Sequence, residues 1–210
     1  MPPRRNTQIA SRKQPRQARS TELVTAVLQA AVQVLAEEGA PRFTTARVAE
    51  RAGVSVGSLY QYFPNKAAIL FRLQSDEWRR TTELLRAILE DRARPPFERL
   101  RILVHTFLRS ECEEAAIRGA LNDAAPLYRD APEAQEVKAA GQGIVDAFMR
   151  EALPAASDAT RALAGGLIAS TLGAVGKQFS EAPRCDEEID IYADAMADML
   201  VAYLERLGRA

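Results

Sequence analysis

Thr44 to Lys66, TTARVAERAGVSVGSLYQYFPNK, gather the side chains of this chain best suited to holding an anion. Thr45, Ser55, Tyr60 and Tyr62 carry hydroxyl donors, and Arg47 and Lys66 carry fixed positive charge. Such groups suit the phosphate oxygens of a nucleic acid, where they would set register without reading sequence. Between them lie residues that can touch base edges. Ser58 and Gln61 offer hydrogen bonds, Val56 offers an apolar contact to a thymine methyl, and Gly57 lets backbone come close. No Arg, Lys or Asn stands among them from Ser55 to Tyr62, so arginine-to-guanine readout is not expected and DNA shape must contribute. Other readings remain open: Tyr60 or Tyr62 can pack on a neighbouring helix, and Arg47 and Arg51 can be solvated surface charges.

The elements that would hold these groups are legible. Leu23, Val27, Ala30, Ala31, Val34 and Leu35 recur at helical spacing after Ser20, a candidate N-cap. Gly39 closes that helix and Pro41 prevents its resumption. Thr44 or Thr45 caps a second helix to about Ala52, and Gly53 supplies a turn that needs positive φ. Val54 plugs that turn, and Ser55 caps a short third helix to about Tyr62 whose Leu59 and Phe63 face the core. At eight residues the third helix would be about 12 Å long and would touch only a few base pairs. Pro64 stops it, and Asn65 caps the next.

Further along, apolar periodicity predicts helices over 66–91, 97–114, 115–121, 157–180 and 186–207, with another running to Leu153 behind an Asp130–Glu133 capping box. The expected fold class is therefore all-α, about nine helices. The expected domains are a disordered basic arm at 1–19, a helix-turn-helix head at 20–66, and a ligand-binding and dimerisation body at 67–210. The arm carries Arg4, Arg5, Arg12, Lys13, Arg16 and Arg19 with no acidic residue, suiting either phosphate or minor-groove contact or a solvated tail.

Net charge is zero, but its distribution is uneven. Residues 1–66 carry six more basic than acidic groups, and the rest of the chain six fewer. A single histidine, His105, and two distant cysteines, Cys112 and Cys185, form no metal-ligand spacing or disulfide framework. No phosphate-cradling Gly-rich loop and no paired-carboxylate motif occurs, so neither a cofactor nor an enzymatic activity is expected. An all-α enzyme or a non-specific DNA binder is the alternative. The longest uncharged run, Ala162–Gly176, is shorter than the ~20 residues of a membrane span. A soluble cytoplasmic protein is expected.

The head resembles the TetR family of bacterial transcriptional regulators. Thr44, Val48, Ala49, Ala52-Gly53-Val54-Ser55, Gly57, Leu59-Tyr60, Tyr62-Phe63 and Asn65-Lys66 carry the likeness. It implies a homodimeric repressor on a palindromic operator, released by a small, hydrophobic effector held in the body. It also implies backbone contacts from Thr45, Tyr60, Tyr62 and Lys66. The resemblance places dimer contacts on the last two helices, through Leu167, Ile168, Leu172, Val175, Tyr192, Met196, Met199, Leu200 and Tyr203. Gly165, Gly166, Gly173 and Gly176 would let those helices approach closely. Candidate effector contacts are Trp78, Phe107, Leu108, Tyr128, Phe148, Met149 and Phe179, with His105 and Glu111 as polar anchors.

Overall fold

The structure is a computed structural model that describes residues 18–127 and 132–209, with side chains described over 20–127 and 141–209. Residues 1–17 of the expected basic arm, Tyr128 and Asp130 fall outside what is described, whereas Ala18, Arg19 and Glu133 are helical in backbone. Among the described residues there are nine α-helices and no strand. They are α1 (Ala18–Arg42), α2 (Thr45–Arg51), α3 (Val56–Tyr60), α4 (Lys66–Leu89), α5 (Pro96–Glu113), α6 (Ala115–Ala124), α7 (Pro132–Ala152), α8 (Asp158–Phe179) and α9 (Asp186–Gly208), with a 3₁₀ turn at Ala125–Leu127.

Expected boundaries shift where local chemistry dictates. α1 begins at Ala18, so Ser20 lies inside its first turn rather than capping it. Gly39 interrupts α1 with φ 72° and ψ 171°, yet a helical turn resumes through Arg42. Pro41 sits at the start of that turn, where its missing N–H costs nothing. Pro96 opens α5 for the same reason. α3 ends at Tyr60, shorter than its sequence suggests, because Gln61 and Tyr62 donate back three residues to Ser58 and Leu59 in tightened, 3₁₀-like bonds of 3.3 and 3.0 Å.

The chain packs as two units: residues through Arg79 with Ala116–Val137, and Arg80–Ala115 with Lys138–Ala210. They are called here the head and the body. This division by packing follows different lines from a functional boundary at residue 66: the first half of α4 and all but the first residue of α6 belong to the head.

The head core joins Val27, Ala31, Val34 and Leu35 of α1 to Val48 and Ala49 of α2, Leu59 of α3, and Phe63. α4 adds Ala68, Ile69 and Leu70, and α6 adds Ala120, Leu121 and Ala124. Burying one such large side chain stabilises by about 1.5–3 kcal/mol, so α3 is held chiefly by Leu59, which is fully buried. Among the described residues one helical stretch, Ser20–Arg42, is long and apolar enough to cross a membrane. Its apolar face is the one that fills the head core. A polar network lies in the same unit: Glu77 pairs with Arg118 of α6 at 2.8 Å and accepts from Gln74 at 2.9 Å.

The body core draws on α5, α7, α8 and α9 with the end of α4. α5 and α9 are set in register by a ladder of ionisable groups. Arg101 meets Asp198 at 2.5 Å, His105 meets Asp194 at 3.0 Å, and Arg109 meets Asp186 and Asp190 at 2.9 and 2.8 Å. Asp190, with Asp186 behind it, holds the Arg109 guanidinium above its ordinary pKa. Arg99 is fully buried; it donates to the Leu89 carbonyl at the end of α4 and to Glu151 of α7, and lies 5.6 Å from the Phe148 ring centroid. Gly165 and Gly176 serve packing within the chain. A Cβ on Gly165 would meet Val145 at 3.0 Å, and one on Gly176 would meet Phe107 at 2.9 Å.

Candidate nucleic-acid interface and body cavity

The head's surface is built on two capped helices and one glycine. The Thr44 hydroxyl accepts from the Arg47 amide at 3.3 Å, capping α2 and leaving Thr45 to other work. Gly53 then turns the chain with φ 66°, a conformation that strains any residue with a Cβ. Val54 donates to the Ala49 carbonyl at 3.0 Å and is partly buried against the core. Ser55 caps α3 by accepting from the Ser58 amide at 3.0 Å, and its hydroxyl also lies 2.8 Å from that of Ser58. Asn65 caps α4 by accepting from the Ala68 amide at 2.9 Å. The helix starts at α3 and α4 are therefore both fixed by side chains encoded immediately before them.

On this frame Val56, Gly57, Tyr60, Gln61 and Lys66 are exposed, and Ser58 is half-buried. Val56 and Tyr60 are unusual as large apolar-bodied residues each left 39% exposed. The Tyr60 hydroxyl lies 3.1 Å from that of Thr45, joining α2 and α3 at the surface. The other candidates stand differently. Tyr62 is buried in the head core, leaving only a sliver of its surface to solvent. Arg47 is ion-paired to Glu38, and Arg51 forks onto Glu37 at 3.0 and 2.7 Å. The Arg51 hydrogen bond holds the Glu37 carboxyl below its ordinary pKa. The acidic pair Glu37-Glu38 before the kink is the feature that sequence reasoning about these two arginines missed.

The body holds a cavity of about 190 Å³. Leu85 and Leu89 line it from α4, Leu100, Leu103 and Phe107 from α5, and Val145, Phe148 and Met149 from α7. α8 closes it with Gly165, Ile168, Ala169, Leu172 and Gly173. Of the candidate effector contacts, the structure brings Phe107, Phe148 and Met149 to this cavity. Leu108 is buried core outside the lining, and Trp78 belongs to the head. His105 is engaged on the α5–α9 ladder, Glu111 is buried near Gly176, and Phe179 stacks on Tyr192 at 4.2 Å. Cys112 is no activated thiol, since burial pushes its pKa up.

The residues expected at a dimer contact divide by exposure. Leu167, Tyr192 and Met199 are exposed on α8 and α9, and Val175 and Tyr203 are half-buried. Ile168, Leu172, Met196 and Leu200 are buried inside the body, and Ile168 and Leu172 also line the cavity. Leu163 and Ile191, 69% and 64% exposed, join the outer face and were not anticipated.

A Gly-turned pair of short helices with exposed Val56, Tyr60 and Gln61, carried by a chain with a helical body, is the build of a helix-turn-helix regulator. The chain matches the family model for the tetR family of bacterial regulatory proteins over residues 27–73, and that for the tetracyclin repressor-like C-terminal domain over residues 95–207. It belongs to the TetR family of transcriptional regulators. Over 83 residues it is 37% identical to the nucleoid occlusion factor SlmA of Vibrio campbellii, covering 39% of this chain and 42% of that relative, less than half its length. A TetR-family regulator structure from Mesorhizobium loti superposes with a TM-score of 0.69 at 15% identity, covering 89% of this chain and 98% of that one. FadR of Bacillus subtilis, solved in complex with stearoyl-CoA, gives a TM-score of 0.64 at 17% identity, covering 84% and 97%. At these identities the structural likeness is one of fold.

Proposed function

We propose that the chain is a homodimeric repressor that binds a palindromic operator through paired α3 helices and is released when a small effector enters the body cavity. The observation that carries this reading is the capped, exposed face of α3 with Val56, Gly57 and Gln61 outward. One such helix is five residues, so two copies on inverted half-sites about one helical turn or more apart are needed for useful specificity. Val56 and Gln61, with Ser58, read base edges, and Gly57 lets the backbone approach. Thr45, Ser55, Tyr60 and Lys66 anchor phosphates. Arg47 joins them by exchanging Glu38 for phosphate, and Tyr62 does so only through its hydroxyl. Residues 20–66 serve as the DNA-binding segment, the arm at 1–19 reinforces phosphate contact, and 67–210 serve effector binding and dimerisation.

The large apolar side chains left exposed on α8, Leu163 and Leu167, and on α9, Ile191, Tyr192 and Met199, support pairing through those helices. The covalent route from cavity to head is α4, which carries Leu85 and Leu89 at the cavity and opens at Lys66. An effector that favours the DNA-incompetent state need supply only ~1–3 kcal/mol of coupling, or 5–150-fold in operator affinity. FadR, with its bound stearoyl-CoA, is a precedent for an effector in this fold. A cytoplasmic regulator without enzymatic activity follows from the same reading.

The test is selection from a random duplex pool with the full-length chain, alongside sedimentation at micromolar concentration. An enriched inverted repeat bound by a dimer is expected. A pool bound without enrichment, or a monomer on DNA, would overturn the reading.

A further inference from the structure

We infer that the body cavity selects a compact, uncharged, apolar ligand of one or two rings, and does not take a long-chain or anionic one; this rests on the effector reading above. Size is the first argument. Pockets for drug-sized ligands run to ~300–1,000 Å³, whereas this one measures about 190 Å³. An engineered cavity of ~150 Å³ with a similar Leu/Ile/Phe lining stays dry and binds benzene. A long acyl chain on a coenzyme does not fit such a space.

Chemistry is the second argument. Among the described residues, no side chain lining the cavity is charged or carries a hydroxyl or amide. The liners sit on α4, α5, α7 and α8, within helices whose backbone groups are largely bonded along the helix. A ligand hydroxyl or amide brought here loses its water without replacement, and a carboxylate loses far more. The buried charges Arg99 and Glu111 are not among the liners: Arg99 lies over the Phe148 ring and is committed to the Leu89 carbonyl and Glu151, and Glu111 lies near Gly176. Phe107 and Phe148 present aromatic surface and Met149 an adaptable thioether, a combination suited to a flat apolar ring.

The test titrates the full-length chain with naphthalene, 2-naphthoate and stearoyl-CoA, reading binding by calorimetry and operator affinity separately by anisotropy. Naphthalene should bind saturably, at least about tenfold more tightly than 2-naphthoate. Leu103→Phe, which fills the cavity from a lining position, should abolish naphthalene binding and keep or raise Tm. Ile168→Phe serves if that variant does not fold. Failure of naphthalene to bind, or equal binding of 2-naphthoate lost in Arg99→Met, would overturn the ligand class. If naphthalene binds at the cavity but leaves operator affinity unchanged, the ligand class stands and the effector reading fails. If stearoyl-CoA binds and releases operator while naphthalene does neither, the effector reading stands and the ligand class fails.

Discussion

Among the described residues, each unit holds an arginine–carboxylate pair with a shielded arginine, and the two pairs are built differently. In the head, Arg118 and Glu77 both have shielded side chains, 14% and 7% exposed, and Gln74 occupies the second carboxylate oxygen. In the body, Arg99 is fully buried, while its partner Glu151 keeps 42% of its side chain in solvent. The head pair joins α4 to α6 and keeps both its charges largely out of water. The body pair ties the end of α4 to α7, and its acid can return to water if the arginine is lost. A buried ion pair thus stabilises according to what the surviving partner can do, more than to how close the two groups lie.

The same substitution in both units breaks or sharpens that comparison. Arg118→Met should cost about 3–5 kcal/mol in denaturant unfolding, because it removes a cation 2.8 Å from a shielded carboxylate. Arg99→Met should cost about 1 kcal/mol or less by the same measurement, the lost bond to the Leu89 carbonyl being offset by removing a buried charge. Equal losses would contradict the contrast. Next in size is Gly53→Ala, whose added Cβ meets nothing within 4 Å but must adopt φ 66°. It should cost about 1–2 kcal/mol from backbone conformation alone, and weaken operator binding with it by disturbing the α2–α3 angle. A variant as stable as the parent would show that α3 is positioned by Leu59 and the caps without the turn.

The smallest effect concerns pH. Glu37, Asp158 and Glu188 are held below their ordinary values by the Arg51 hydrogen bond, by the Arg161 hydrogen bond and by the Cys185 amide respectively. Groups whose folded pKa is depressed contribute stability that is full above their ordinary values of 4.5, 3.8 and 4.5 and is lost as pH falls through the lower folded values. The contribution of these three groups to thermal stability should therefore be flat from neutral pH down to that range and decline below it. Glu188→Gln should shallow the decline without changing the plateau by more than the loss of one helix-capping contact.

The head was legible in sequence because its devices are local. Thr44, Gly53, Ser55 and Asn65 each act on backbone within a few residues, so the caps and the turn could be placed before any packing was known. The nine helices among the described residues and their order followed from apolar spacing for the same reason. What sequence left open depends on partners far along the chain. The engagement of Arg47 and Arg51 by Glu38 and Glu37, the burial of Tyr62, and the division of α8 and α9 into an inner and an outer face are of this kind. The cavity is the extreme case: four helices contribute to it, and an apolar liner such as Leu103 is indistinguishable in sequence from core such as Leu108. His105 shows the converse, a candidate polar anchor on α5 that proved to be a rung of the α5–α9 ladder.

In the proposed repressor, the DNA sequence is specified by α3 through Val56 and by Gln61 at its C-cap. Parallel selections from one random duplex pool, with the parent chain and with Gln61→Ala, test it most directly. An inverted repeat is expected for both, with unchanged half-site spacing and with preference relaxed at one base pair of each half-site in the variant, a loss of about 1–3 kcal/mol of discrimination there. Identical motifs from parent and variant would place the reading surface elsewhere on the chain.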